Sequence, residues 1–231
     1  MTEITIDYTP IQTLGYVVCN VPEDVMSIIR DEITEMIKNN FDTSEPYNTK
    51  LAGSIEKEFG LKKSVDKLNL YFKKVIPEYW RLCGHYSEAD NLYQLRERIT
   101  HNNIKNNDLW VNLQKKYETN PIHNHSGTLS FVLYVNIPYE LETERQQPHT
   151  VNSNTKYVPS FRFVYPRLYP GILCSDANQS PVESHIIEID KTWENKMIIF
   201  PSWLQHTVSA FYTSDEYRIS VSGNLVTANN D

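Results

Sequence analysis

Cysteine is scarce, with Cys19, Cys83 and Cys174 far apart in a chain of 231 residues. An odd number with no CxxC pair excludes a disulfide framework and a thiolate zinc site, and it fits a reducing, cytoplasmic setting. No apolar run approaches ~20 residues, which excludes a spanning helix, and no membrane partner is expected. The opening residues Met1 to Asp7 lack a basic region ahead of an apolar core, so no secretory signal is expected. Positive charge is in short supply: 22 Lys and Arg stand against 29 Asp and Glu, a net of −7. Such a field repels phosphate backbones and disfavours non-specific nucleic-acid binding. Glycine is sparse at seven residues, while aromatics reach 12% with fifteen tyrosines. Tyrosine at that density suits β-strands and polar cavities, since each ring carries apolar area and a hydroxyl that seeks a partner.

What is present divides into a helical first part and a strand-rich second part. From Pro22 to about Asn40, apolar residues recur at Val25, Ile28, Ile29, Ile33, Met36 and Ile37, with Glu23 and Asp24 in the first turn, which is helical spacing with a favourable start. Ser64 to Cys83 repeats it through Val65, Leu68, Phe72, Val75, Ile76 and Tyr79, with Pro77 expected to kink or end the helix. A third helix is expected from Ser87 to about Ile99. After Asn107 the period becomes two: Leu109, Val111 and Leu113 alternate with Trp110, Asn112 and Gln114. Leu129 to Ile137 reads as a strand buried on both faces. Further strands follow at Phe161 to Tyr165, His185 to Ile189, Met197 to Phe200 and Arg218 to Val226. The polar stretch from about Glu140 to Ser160 shows no period and reads as a surface loop or lid. The expected organisation is a helical buttress with first strands over residues 1–107 and a core over 108–231, one compact domain overall. The fold class is mainly β with N-terminal helices (α+β), and a jelly roll is the natural candidate.

The densest chemistry lies in Asn120-Pro121-Ile122-His123-Asn124-His125-Ser126-Gly127, directly ahead of a strand. In extended backbone, residues two apart project to one side, so His123 and His125 can aim at one ion. Imidazole suits iron, zinc, copper and nickel alike, so the pair does not choose a metal. Gly127 lets the chain turn into the strand. Later, Ile198 to Phe200 ends at Pro201 and delivers His206. Arg218, Ser220, Ser222 and Asn224 share one face of the last strand, opposite Ile219, Val221 and Leu225. An arginine fork matches a carboxylate, and a hydroxyl two residues on can add a donor.

HxH before a strand, a distal His and then Arg-x-Ser resembles the 2-oxoglutarate and Fe(II)-dependent oxygenases, whose fold is a cupin-like double-stranded β-helix. The segments NPIHNHSGTLSFVLYVNIP, FPSWLQHTVSAFY and RISVSGNL are similar to members of that superfamily found in tailed bacteriophages. The likeness runs from Leu109 to Val226 and extends weakly to LAGSIEKEF, from Leu51 to Phe59. It implies a dioxygenase that hydroxylates a substrate with release of succinate and CO2, using Fe(II) and 2-oxoglutarate. It further implies metal ligands at His123, His125 and His206, with Arg218 and Ser220 at the distal carboxylate of 2-oxoglutarate. Tyr134 is expected near that co-substrate, and Asn112, on a neighbouring candidate strand, either faces the same cavity or makes an ordinary cross-strand hydrogen bond. If phage-encoded, the protein would act in the cytoplasm of an infected cell. The chain departs from the pattern at His125, where the family carries an acid. Three readings of that departure stay open: a three-histidine site, an HxG arrangement resembling halogenases, and a fold that has lost catalysis. Two functional alternatives stand beside the oxygenase: a non-catalytic jelly-roll binding protein, and a cupin-like metal enzyme that uses no 2-oxo acid. The substrate is open among peptide, nucleobase and small molecule, and the oligomeric state is unread.

Overall fold

The structure is a computed structural model that describes residues 5–11, 14–83, 104–154, 158–166 and 182–227. Two antiparallel sheets face each other. The larger has the order β1-β2-β9-β6-β11-β4-β3 and the smaller β5-β10-β7-β8, with the strands β1 (Ile6–Ile11), β2 (Leu14–Asn20), β3 (Glu58–Gly60), β4 (Ile104–Gln114), β5 (Asn120–His123), β6 (Leu129–Asn136), β7 (Ser160–Pro166), β8 (Val182–Glu188), β9 (Lys196–Pro201), β10 (His206–Val208) and β11 (Arg218–Thr227). From β4 onward the chain passes back and forth between the sheets, placing β4, β6, β9 and β11 in one and β5, β7, β8 and β10 in the other. That winding is a double-stranded β-helix, the jelly roll expected from the strand pattern.

Alternation along the strands builds two cores. Leu109, Val111 and Leu113 on β4, with Leu129, Phe131 and Leu133 on β6, face the helices. Val132 and Tyr134 on β6 join Phe161, Phe163 and Phe200 between the sheets. Strand β6 is therefore buried on both faces, which accounts for its unbroken apolar run. The helices α1 (Glu23–Lys38) and α2 (Val65–Cys83) cover the outer face of the large sheet. A buried carboxylate ties them together: Glu32 of α1 accepts from the backbone N–H groups of Lys62, Lys63 and Ser64 and from the Ser64 hydroxyl at 2.6–2.9 Å, satisfying donors at the start of α2. No helix among the described residues is long and apolar enough to cross a membrane.

Two expectations change. Helix α2 runs through Pro77 to Cys83. Burial of Leu68, Phe72, Val75, Ile76 and Tyr79 on both sides of the proline outweighs a cost of about 3 kcal/mol for the ring and its missing donor. The polar stretch expected as a loop contains two short helices, α3 (Leu141–Arg145) and α4 (Pro148–Val151). Elements of one turn are too short to show a period, which is why the sequence pattern missed them. The helix expected over Ser87 to Ile99, with His101 and Cys174, lies outside the described residues.

Candidate metal centre

Strand pairing brings the three histidines together. His206 opens β10 opposite His123 at the end of β5, and the backbone N–H of His125 is held by the Ser202 carbonyl at 2.8 Å. Between them the chain turns at Gly127, whose φ of +101° places it in the left-handed region. A side chain there would also begin 2.9 Å from the Leu225 carbonyl, so this turn requires glycine. Ser202 donates to the Gly127 carbonyl at 2.5 Å and so ties the corner after β9 to the same turn.

One ligand nitrogen from each of His123, His125 and His206 lies within 4.8 Å of the others, and this is the one such group among the described residues. The Nδ1 of His123 donates to the Pro121 carbonyl at 2.7 Å, and the Nδ1 of His206 to the Leu204 carbonyl at 3.0 Å. A carbonyl can only accept, so each bond fixes the proton on Nδ1 and leaves the Nε2 lone pair free. The Nε2 atoms of His125 and His206 are 3.3 Å apart. Two nitrogens each about 2.1 Å from one ion are separated by roughly 3.0–3.4 Å between octahedral and tetrahedral angles, so the spacing fits shared coordination. Burial lowers the pKa of all three, that of His125 to about 4 and that of His206 well below its usual value, with repulsion from His123 adding to both. Near neutral pH the imidazoles are uncharged and able to ligate. Phe161 stacks on His206 at 5.2 Å between centroids, and Trp110 lies 5.7 Å from His125.

The histidines line a cavity of about 150 Å³ that is also lined by Arg218, Ser220, Tyr134 and Asn112. Arg218 is 2% exposed. Its Nε and Nη2 donate to Gln114 Oε1 at 3.1 and 2.6 Å, Nη2 to the Ser209 carbonyl at 2.7 Å and Nη1 to the Tyr139 hydroxyl at 3.2 Å. Among the described residues no carboxylate lies within salt-bridge distance of it. A buried cation without an anion is costly, and a carboxylate entering the cavity would relieve it. The Tyr134 hydroxyl and Asn112 Oδ1 are buried and have no hydrogen-bond partner among the described residues. The Asn112 amide meanwhile donates to Ser220 and Ser222 at 3.3 Å, so this residue both bonds across the strands and faces the cavity. Gln114, Tyr139 and Glu58 also belong to the site and were not singled out from the sequence. Only the alternation that put Gln114 beside Asn112 on one face of β4 hinted at any of them.

The family model described as "Putative 2OG-Fe(II) oxygenase" matches residues 108–224, half of the chain and all the residues just named except Glu58. The chain belongs to this family. Its members are oxygenases whose cofactors are Fe(II) and 2-oxoglutarate, and three neutral imidazoles in one cavity with an arginine that has no carboxylate partner among the described residues suit that pair. No curated protein matches the sequence of this oxygenase. Among solved structures it is similar to a Pseudomonas putida prolyl-4-hydroxylase, with 14% identity, a TM-score of 0.48 and coverage of 91% of this chain and 92% of that one. It is also similar to HygX from Streptomyces hygroscopicus, whose structure holds nickel, 2-oxoglutarate and hygromycin B. There the identity is 9% and the TM-score 0.43, covering 93% of this chain and 84% of that one.

Proposed function

We propose that this oxygenase is a hydroxylase that couples 2-oxoglutarate to its substrate, with His123, His125 and His206 holding the iron and Arg218 the distal carboxylate. The observation that carries the reading is the buried Arg218, with no acidic partner among the described residues, lining one cavity with the three histidines. When bound, iron and 2-oxoglutarate supply the oxidising chemistry, with succinate and CO2 as by-products. The protein's residues hold, orient and shield. The Pro121 and Leu204 carbonyls keep the Nδ1 protons of His123 and His206 in place, and Gln114 and Tyr139 keep the guanidinium aimed into the cavity. Ser220 stands beside Arg218 as a further donor. The Tyr134 hydroxyl is a donor for the co-substrate's oxygen atoms, and burial holds its proton on by raising its pKa.

The HxG alternative leaves His123 idle, whereas its Nδ1 is held in the orientation a ligand needs. An enzyme that used no 2-oxo acid would have no need of a buried, unpaired arginine. We read residues 1–107 as the buttress of the core at 108–231, and the phage-like segments as pointing to work in an infected cell's cytoplasm. Anaerobic addition of Fe(II) and 2-oxoglutarate tests the assignment. A metal-to-ligand charge-transfer band that is lost in Arg218→Ala is the expected result, and absence of metal uptake by the wild type would sink it.

A further inference from the structure

One acidic side chain stands at the other end of the cavity floor. Glu58 on the edge strand β3 pairs with Asn112 on β4, and the row continues through Ser220 on β11 to Tyr134 on β6. Neighbouring strands lie about 4.8 Å apart, so Glu58 and Tyr134 bracket the floor from opposite sides. Glu58 is 1% exposed and is the one acid among the cavity's lining residues, where Lys50 and Arg218 are the other formal charges. Its Oε1 and Asn120 Oδ1 stand 2.8 and 2.6 Å from the point where a side chain on Gly53 would begin. The bare Cα of Gly53 thus lets the carboxyl settle beside β5, the strand that carries His123.

This carboxyl is poorly provided for. It accepts one long hydrogen bond, from Asn48 Nδ2 at 3.4 Å, and forms no ion pair among the described residues. Burial, and secondarily repulsion from Glu118, push its pKa up to about 7. A buried acid with one weak donor is a cost that core packing does not require. It becomes intelligible when a positive charge enters the cavity. Three imidazoles bring none of the negative charge that an acidic ligand would bring, so a divalent ion held by them keeps its full charge.

We propose that Glu58 supplies, from the cavity wall and without touching the ion, the negative charge that the three-histidine ligand set leaves out. The proposal rests on those histidines holding the metal. Glu58 is protonated in part while the site is empty, and it gives up that proton when the ion arrives. It acts on the ion through space, as a counter-charge rather than a ligand.

Anaerobic calorimetric titration of the full chain with Fe(II) alone, near pH 7 in buffers of different ionisation enthalpy, counts the protons released. A carboxyl titrating near 7 is half protonated there, so the wild type should release up to about half a proton more than Glu58→Gln. The histidines are common to both proteins and cancel in the difference. Iron affinity should fall on the order of tenfold in Glu58→Gln, the scale for a residue just outside the ligands, and Glu58→Asp should restore part of both effects. Equal proton counts and equal affinities overturn the proposal and leave the histidine reading standing. A wild type that takes up no iron overturns both. Should Glu58→Gln fail to fold, the wild type decides: release near pH 7 that vanishes by about pH 8.5 supports the proposal, and no release near pH 7 overturns it.

Discussion

The Nε2 atoms of His125 and His206 face each other at 3.3 Å, although 81 positions separate them in the chain. Among the described residues neither nitrogen has another hydrogen-bond partner, and the His206 lone pair is directed at the gap by the Nδ1 bond to Leu204. His206→Ala should therefore weaken Fe(II) binding by more than the ~10–100-fold typical of residues that only support ligands. His125→Asp, which restores an acid at that position, should keep iron bound, while His125→Ala should not. Anaerobic metal titration of the three variants separates these outcomes; equal binding by His125→Ala and wild type would remove His125 from the ligand set.

Arg218→Ala should abolish the 2-oxoglutarate-dependent spectral band while leaving iron uptake in place. Truncating one partner of a buried charge pair costs about 2–5 kcal/mol, at least ~30-fold in Kd. Arg218→Lys should recover little, because an ammonium cannot serve Gln114, Ser209 and Tyr139 while also offering a planar fork to a carboxylate. Titration of the iron-loaded variants with 2-oxoglutarate measures both.

Tyr134→Phe should behave in opposite ways with and without co-substrate. The hydroxyl is buried and unpartnered, so removing it should leave the melting temperature of the empty protein unchanged or higher. If the hydroxyl donates to 2-oxoglutarate, the variant should bind it about fivefold less tightly, near the ~1 kcal/mol of an ordinary hydrogen bond. An unchanged affinity would return Tyr134 to a packing role.

Acid should loosen the metal-free protein. His123, His125 and His206 have folded-state pKa values below that of an unfolded histidine, 6.5, with His125 at about 4. Between those values the unfolded chain binds more protons than the folded one, so stability rises with pH. Above about pH 6.5 the three rings are neutral in both states and no penalty acts; as pH falls below that value the unfolded chain is protonated first and the folded state loses stability. Denaturant unfolding across this range should show a smaller slope in His206→Asn than in wild type; identical slopes would contradict it.

Much of the site was legible because its chemistry resides in residue types with few other uses and in a fixed order along the chain. Alternation in β11 grouped Arg218, Ser220, Ser222 and Asn224; the first three line the cavity, whereas Asn224 accepts from Ser130 next to the register shift that follows it. The residues that surround Arg218 were not legible. Gln114 is 104 positions from it and Tyr139 79, and only strand register, which a single sequence does not print, joins them. Glu144 is a similar case. It looked like one charge in a polar loop, yet it is 1% exposed and accepts from the N–H groups of Tyr212 and Thr213 and the Thr213 hydroxyl at 2.5–3.0 Å. The stretch read as a surface loop or lid is thereby fastened to the segment leading into Arg218.

The two ends of the proposed co-substrate site belong to different sheets. His123 and His206 sit on β5 and β10 of the small sheet, Arg218 on β11 of the large one. Between the sheets lies an aromatic layer of Phe161, Phe163 and Phe200, and close-packed side chains do not stretch. The Arg218 side chain nonetheless reaches the other side: its Nη2 donates to the carbonyl of Ser209, the residue that follows β10, at 2.7 Å. The guanidinium is thereby tied to both sheets at once, to the large one through its own backbone and to the small one through the segment that continues from His206.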